Sequence, residues 1–92
     1  MIEFEFKLYI AGKTRRSNSA ISNIRQICDT DLHGNFRLTI IDVLENPEAA
    51  EHRKILATPT LIKESPPPAR YLIGDLSNRE KVLTGLEIEP TY

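Results

Sequence analysis

Cysteine occurs once in the 92 residues, as Cys28. No intramolecular disulfide can form, so the chain does not read as a secreted disulfide scaffold, and a reduced, cytoplasmic protein is expected. Neither sign of charge dominates: 12 Lys and Arg stand against 13 Asp and Glu, a formal net charge of -1. The strongly basic face of a general nucleic-acid binder is therefore missing. No stretch reaches the ~20 apolar residues of a membrane span. The opening Met1-Ile2-Glu3-Phe4-Glu5-Phe6 alternates acidic and apolar residues, whereas a signal peptide needs a basic start and an unbroken apolar run, so none is read there. The four glycines are scattered and form no phosphate-cradling loop.

What remains is the composition of a folded chain, 40% hydrophobic and 27% charged, sized for a single domain over residues 1–92. Phe4, Phe6, Leu8 and Ile10 alternate with Glu5, Lys7 and Tyr9, the period of a strand that ends near Gly12. Ala20, Ile21, Ile24, Ile27 and Cys28 make one apolar stripe on a helix over about 17–30, with Ser17 or Asn18 able to cap it. After the turn His33-Gly34-Asn35, residues Phe36 to Val43 form a second strand, and the Ile40-Ile41 pair points to a central position in the sheet. Asn46-Pro47 with Glu48 and Glu51 starts a second helix predicted to run to about Ile55 and to stop at Thr58-Pro59. Thr60 to Ile62 form a third strand, Pro66-Pro67-Pro68 a rigid connector, and Arg70 to Ile73 a fourth strand. Ser77 and Glu80 have the spacing of a capping box for a last helix carrying Val82, Leu83 and Leu86.

The resulting order is β-α-β-α-β-β-α. The first βαβ unit is parallel and right-handed, the last two strands antiparallel, and the whole a thioredoxin-like α/β fold. In that fold the redox thiols would start the first helix, where this chain has Lys13-Thr14-Arg15-Arg16-Ser17. Cys28 lies about three turns further on, on the apolar face, where it acts as a small hydrophobe. A thiol-disulfide oxidoreductase needs an accessible thiolate, so that reading fails. His33 and His52, the two histidines, share no metal-ligand spacing, and Ser17 and Ser19 have no histidine partner. No catalytic residue, metal or cofactor is expected. In this fold a Thr-Pro before the third strand is where a cis-proline sits, although Thr58-Pro59 also serves simply as a helix stop.

Several stretches taken together carry a resemblance: Lys7-Leu8-Tyr9-Ile10-Ala11-Gly12, Ile41-Asp42-Val43-Leu44 with Asn46-Pro47, Ile55 to Thr60, Pro66-Pro67-Pro68, and Ile73 to Leu83. None suffices alone, but together they span nearly the whole chain and resemble the KaiB family. The resemblance implies a circadian-clock protein that is not an enzyme. It implies binding to a KaiC-type hexameric ATPase, and recruitment of KaiA or a SasA-like histidine kinase to the bound form. It also implies fold switching between the thioredoxin-like order and a β-α-β-β-α-α-β order, commonly tetrameric, in which the C-terminal half is rebuilt. Self-association as a dimer or tetramer is expected with it; nucleic acid and membrane are not.

Residue by residue, the resemblance implies partner binding by Lys7, Lys54, Lys63 (after the third strand) and Arg70 on one face. Dispersed cations of this kind steer a protein toward an acidic surface. Pro59, Pro66, Pro67, Pro68, Gly85 and Glu87 are implied in the fold switch. Gly85 disfavours a helix by up to ~1 kcal/mol relative to alanine, so Gly85→Ala is expected to favour the thioredoxin-like monomer. Glu87 stands where the clock proteins usually carry Asp. Departures are the Lys13 to Ser17 loop, which loses a proline and gains two cations, Ser19 in place of an Arg, and an end at Pro90-Thr91-Tyr92 without an acidic tail. They suit a clock-derived timing or stress role better than a daily oscillator with KaiA. The alternative is an adaptor or sensor module acting on a histidine kinase, or in stress response, without KaiC.

Overall fold

A computed structural model of the protein describes residues 3–88. Met1-Ile2 of the opening alternation and Pro90-Thr91-Tyr92 of the tail lie outside the described residues. The elements follow as β1 (Phe4–Ile10), α1 (Arg15–Asp31), β2 (Phe36–Asp42), α2 (Pro47–His52), β3 (Thr60–Ser65), β4 (Arg70–Ile73) and α3 (Arg79–Leu86). This is the expected thioredoxin-like order. The sheet runs β2-β1-β3-β4, with β1 parallel to β2, antiparallel to β3, and β3 antiparallel to β4.

Alternation along β1 sends Phe6, Leu8 and Ile10 to one face. There they meet Ala20, Ile24, Ile27 and Cys28 of α1, Leu61 of β3, and Val82, Leu83 and Leu86 of α3. Each large side chain fully buried in this way contributes about 1.5–3 kcal/mol. The second strand departs from expectation: β2 is an edge, not a central strand, and none of its residues is fully buried. An Ile-Ile pair places one side chain on each face. Cover from helices therefore satisfies it as well as a flanking strand would.

The helix ends differ from expectation in instructive ways. Thr14, rather than Ser17 or Asn18, caps α1: its Oγ1 accepts the Ser17 N–H at 3.0 Å, and Ser17 is buried in the first turn. Asn78, rather than Ser77, caps α3, its Oδ1 accepting the Lys81 N–H at 3.1 Å, while the Ser77 N–H donates to Asp75 Oδ1 at 3.0 Å. Helix α2 ends at His52, before Ile55. It ends there because Lys54 turns left-handed at φ 55°, with Lys54 N–H donating to the Glu51 carbonyl and Ile55 N–H to the Ala50 carbonyl. Thr58-Pro59 is thus not the helix stop; it opens β3 as a cis peptide bond, and Ser65–Pro66 and Pro67–Pro68 are cis as well.

The end of α3 repeats the pattern of α2. Glu87 sits at φ 58°, its N–H bonded to the Thr84 carbonyl at 3.2 Å, and the Ile88 N–H reaches the Leu83 carbonyl at 2.9 Å. This is a Schellman closure with glutamate where glycine is usual, sealed by buried Leu83 and Ile88.

Candidate functional site: two charged surfaces

Strand register decides which charged side chains share a face, because residues opposite one another on neighbouring strands project to the same side. Phe6 lies opposite Lys63, and Lys63 opposite Arg70; Lys7 lies opposite Ile62, and Ile62 opposite Tyr71. Lys63 and Arg70 therefore belong to the face packed by α1 and α3, and Lys7 to the face covered by α2. The four expected partner-binding cations do not share one face.

On the α2 side, Lys7 Nζ is 3.8 Å from Glu64 Oε2, and Arg53 pairs with the same carboxylate. These side chains border a shallow cleft with Tyr9, Ile41 and His52. Lys54 follows directly, exposed on its left-handed turn. Neither Arg53 nor Glu64 stands out in the sequence. A register shift between Glu5 and Phe6 accommodates Glu64 as an extra residue in the ladder, and strand alternation does not reveal it.

On the other side, Lys63 is not beyond the third strand but inside it, and only 2% exposed. Arg70 beside it pairs with Glu87 past the end of α3. The expected fold-switch residues lie in the same half of the chain: Pro59 buried at the start of β3, Pro66 to Pro68 in the β3–β4 connector, Gly85 within α3 and Glu87 closing it. Further along, Arg79 Nη2 reaches the buried Asp31 Oδ1 at 2.6 Å and ties α3 to the end of α1.

No thiol stands at the start of α1, and Cys28 is 0% exposed. Burial, reinforced by the negative charges of Asp29 and Asp31, pushes its thiol up to about 12. Asp75 is held below the usual carboxylate range by hydrogen bonds from Ser77, with Arg16 adding to the effect. His33 and His52 are both exposed. Among the described residues no group of three or more His, Cys, Asp and Glu is placed to hold a metal ion. No helix there is long and apolar enough to cross a membrane.

Residues 7–88 match the KaiB domain. The chain belongs to the KaiB family. It is 56% identical over 84 residues to circadian clock protein KaiB3 of Synechocystis sp., covering 91% of this chain and 82% of that one. Against the circadian clock oscillator protein KaiB of Prochlorococcus marinus it is 56% identical over 82 residues, 89% of this chain and 70% of that one. Among solved structures, the N-terminal domain of Synechococcus elongatus SasA superposes with a TM-score of 0.76 at 20% identity, covering 100% of this chain and 91% of that one. Mitochondrial thioredoxin 3 of Saccharomyces cerevisiae superposes with a TM-score of 0.72 at 16% identity, covering 92% of this chain and 77% of that one. At these identities the likeness is one of fold alone.

Proposed function

We propose that this KaiB-family chain is a non-enzymatic regulator that binds a KaiC-type hexameric ATPase and modulates its phosphorylation state and output in a clock or clock-derived timing and stress system. The observation that carries this reading is the 56% identity to clock proteins over 91% of the chain. Lys7 and Lys54 are the side chains that meet the ATPase. Arg70 acts indirectly, through its pair with Glu87 at the close of α3, and Lys63 through its burial within β3. Pro59, Pro66, Pro67, Pro68, Gly85 and Glu87 lie in the half of the chain that a switch to the β-α-β-β-α-α-β form would rebuild, with self-association as dimer or tetramer in that form. The protein works in the cytoplasm, and KaiA or a SasA-like kinase joins the bound state.

Co-elution with the KaiC-type ATPase of the same organism tests this, with ATP present, hours of incubation and masses read by light scattering. A complex of defined stoichiometry that Lys54→Glu weakens is expected; no complex after a day removes the reading. The alternative reading is direct action on a histidine kinase, with which the fold shared with the SasA domain is compatible. Binding to a sensor kinase with the ATPase absent would select it.

A further inference from the structure

All four strands open onto loops at one end of the sheet. Ile10 lies opposite Asp42, Tyr9 opposite Thr60, and Thr60 opposite Ile73. The chain after β1, after β2, before β3 and after β4 therefore meets there. The Gly74 N–H donates to the Pro59 carbonyl at 2.9 Å, and the Gly12 N–H to Asp42 Oδ1 at 3.0 Å, which ties these loops together. Three large aliphatic side chains at this end face water: Leu44 at 71% exposure and Leu56 at 95% on the loops, and Ile73 at 67% closing β4. Leu44 leans on Gly12, where a β-carbon would come within 3.3 Å of its Cδ1. Exposed aliphatic side chains gathered on one surface mark an interaction site, whereas scattered ones do not.

Beside them stand Lys13, Arg15 and Arg16, all exposed. Lys7, Arg37, Arg53, Arg70 and Arg79 each pair with a carboxylate, but among the described residues none of these three does. The first turn of α1 holds no acidic residue, although the positive end of a 17-residue helix favours one. Asp75 is the acidic neighbour of Arg16, and its Oδ1 is engaged by the Ser77 N–H. On the α2 border, Glu45 and Glu48 make the opposite side negative. The surface is thus aliphatic at its centre and positive along the α1 side.

We propose that this end of the sheet docks a protein segment in which leucine-like side chains adjoin carboxylates. The aliphatic part covers Leu44, Leu56 and Ile73, and the carboxylates lie over Lys13, Arg15 and Arg16. A free phosphate would neutralise the cations and leave the aliphatic side chains in water, and an apolar segment would do the reverse. A segment carrying both side by side satisfies the whole surface, and Glu45 and Glu48 turn away one laid with its carboxylates on the α2 side. Leu56 lies two residues from Lys54, but the test uses a peptide and no ATPase, so failure here is distinguishable from failure of the ATPase reading.

Backbone chemical shifts of the full chain, titrated with the synthetic peptide Leu-Ala-Leu-Glu-Glu-Glu, test the proposal. Saturable shifts confined to the loops at this end are expected. Binding is expected to weaken at least about tenfold with Ser-Ala-Ser-Glu-Glu-Glu or Leu-Ala-Leu-Lys-Lys-Lys as the peptide. The same loss is expected in the paired variants Arg15→Glu/Arg16→Glu and Leu44→Ser/Leu56→Ser, each confirmed folded by its own spectrum. Arg37→Glu, at the opposite end of the sheet, leaves binding unchanged. Equal affinity for the serine peptide would overturn the proposal by making the surface an anion site only. Shifts that fail to saturate, or that fall elsewhere, would overturn it outright.

Discussion

Gly85 of α3 packs against Leu72 of β4 so closely that a β-carbon on it would lie 2.6 Å from Leu72 Cδ2. Helix propensity alone favours alanine here by up to about 1 kcal/mol, which is why the sequence leads one to expect Gly85→Ala to favour this fold. The contact reverses the sign. Leu72 must abandon its rotamer, and overpacking of this kind costs about 1–3 kcal/mol. Because the clashing atom is the tip of a flexible, half-buried side chain, the cost sits toward the low end of that range and the net loss stays below about 1 kcal/mol. A lowered urea midpoint in Gly85→Ala is expected, largely restored by adding Leu72→Val. Strict additivity of the two changes would acquit Leu72.

Glu87 carries two opposed contributions. Its pair with Arg70 is half-exposed, with side chains 42% and 50% accessible, and exposed pairs contribute at most about 1 kcal/mol. Its left-handed backbone, at φ 58°, costs a non-glycine residue about 1 kcal/mol or more. Glu87→Ala loses the pair and keeps the strain; Glu87→Gly loses the pair and relieves it. The glycine variant should therefore be the more stable of the two by about 1 kcal/mol in thermal or urea unfolding. Equal stabilities would show that the turn is not strained.

The elements themselves were legible in the sequence because their periods are local: alternation from Phe4 to Ile10, the Ala20-Ile24-Ile27 stripe, and Asn46-Pro47 as a helix start. For the caps, the sequence points to the right turn but to the wrong residue. Thr14 and Ser17, or Ser77 and Asn78, offer equivalent oxygens within one turn, and packing of Ser17 into the core chooses between the first pair. The candidate surface was less legible. Whether Lys63 shares a face with Lys7 depends on an odd or even separation through two different strands and an irregular register, and the chain order alone does not report it. That Leu44, Leu56 and Ile73 lie at one end of the sheet emerges only once all four strands are paired.

Cys28 couples stability to alkaline pH. Its thiol ionises at an ordinary 9.0 in the unfolded chain and at about 12 when buried. Below the lower value both states keep the proton, and the thiol has no effect on stability. Between the two values the unfolded chain gives up a proton that the folded chain retains, so stability falls as pH rises, by up to about 1.4 kcal/mol per unit. The unfolding free energy of the natural protein should therefore drop more steeply above the lower value than that of Cys28→Ala, which has no thiol to titrate. A thiol reagent at neutral pH should modify Cys28 only on unfolding. Parallel pH profiles for the two proteins would remove the coupling.

Lys63 separates a structural role from a docking one. A lysine 2% exposed on the face shared with Phe6 and Leu61 presents little of itself to a partner, so its stem is packing and its charge is a cost. Lys63→Met keeps the length and the apolar contact, and should leave stability unchanged or raise it by about 1 kcal/mol. Lys63→Glu places a carboxylate in the same desolvated position and should lower stability by several kcal/mol, on the order of 3. Urea unfolding of the two variants ranks these outcomes. Co-elution of Lys63→Met with the ATPase then completes the test: retained binding assigns Lys63 to the fold, whereas a stable variant that no longer binds would make the ammonium group a direct contact and require that β3 turn it outward in the complex.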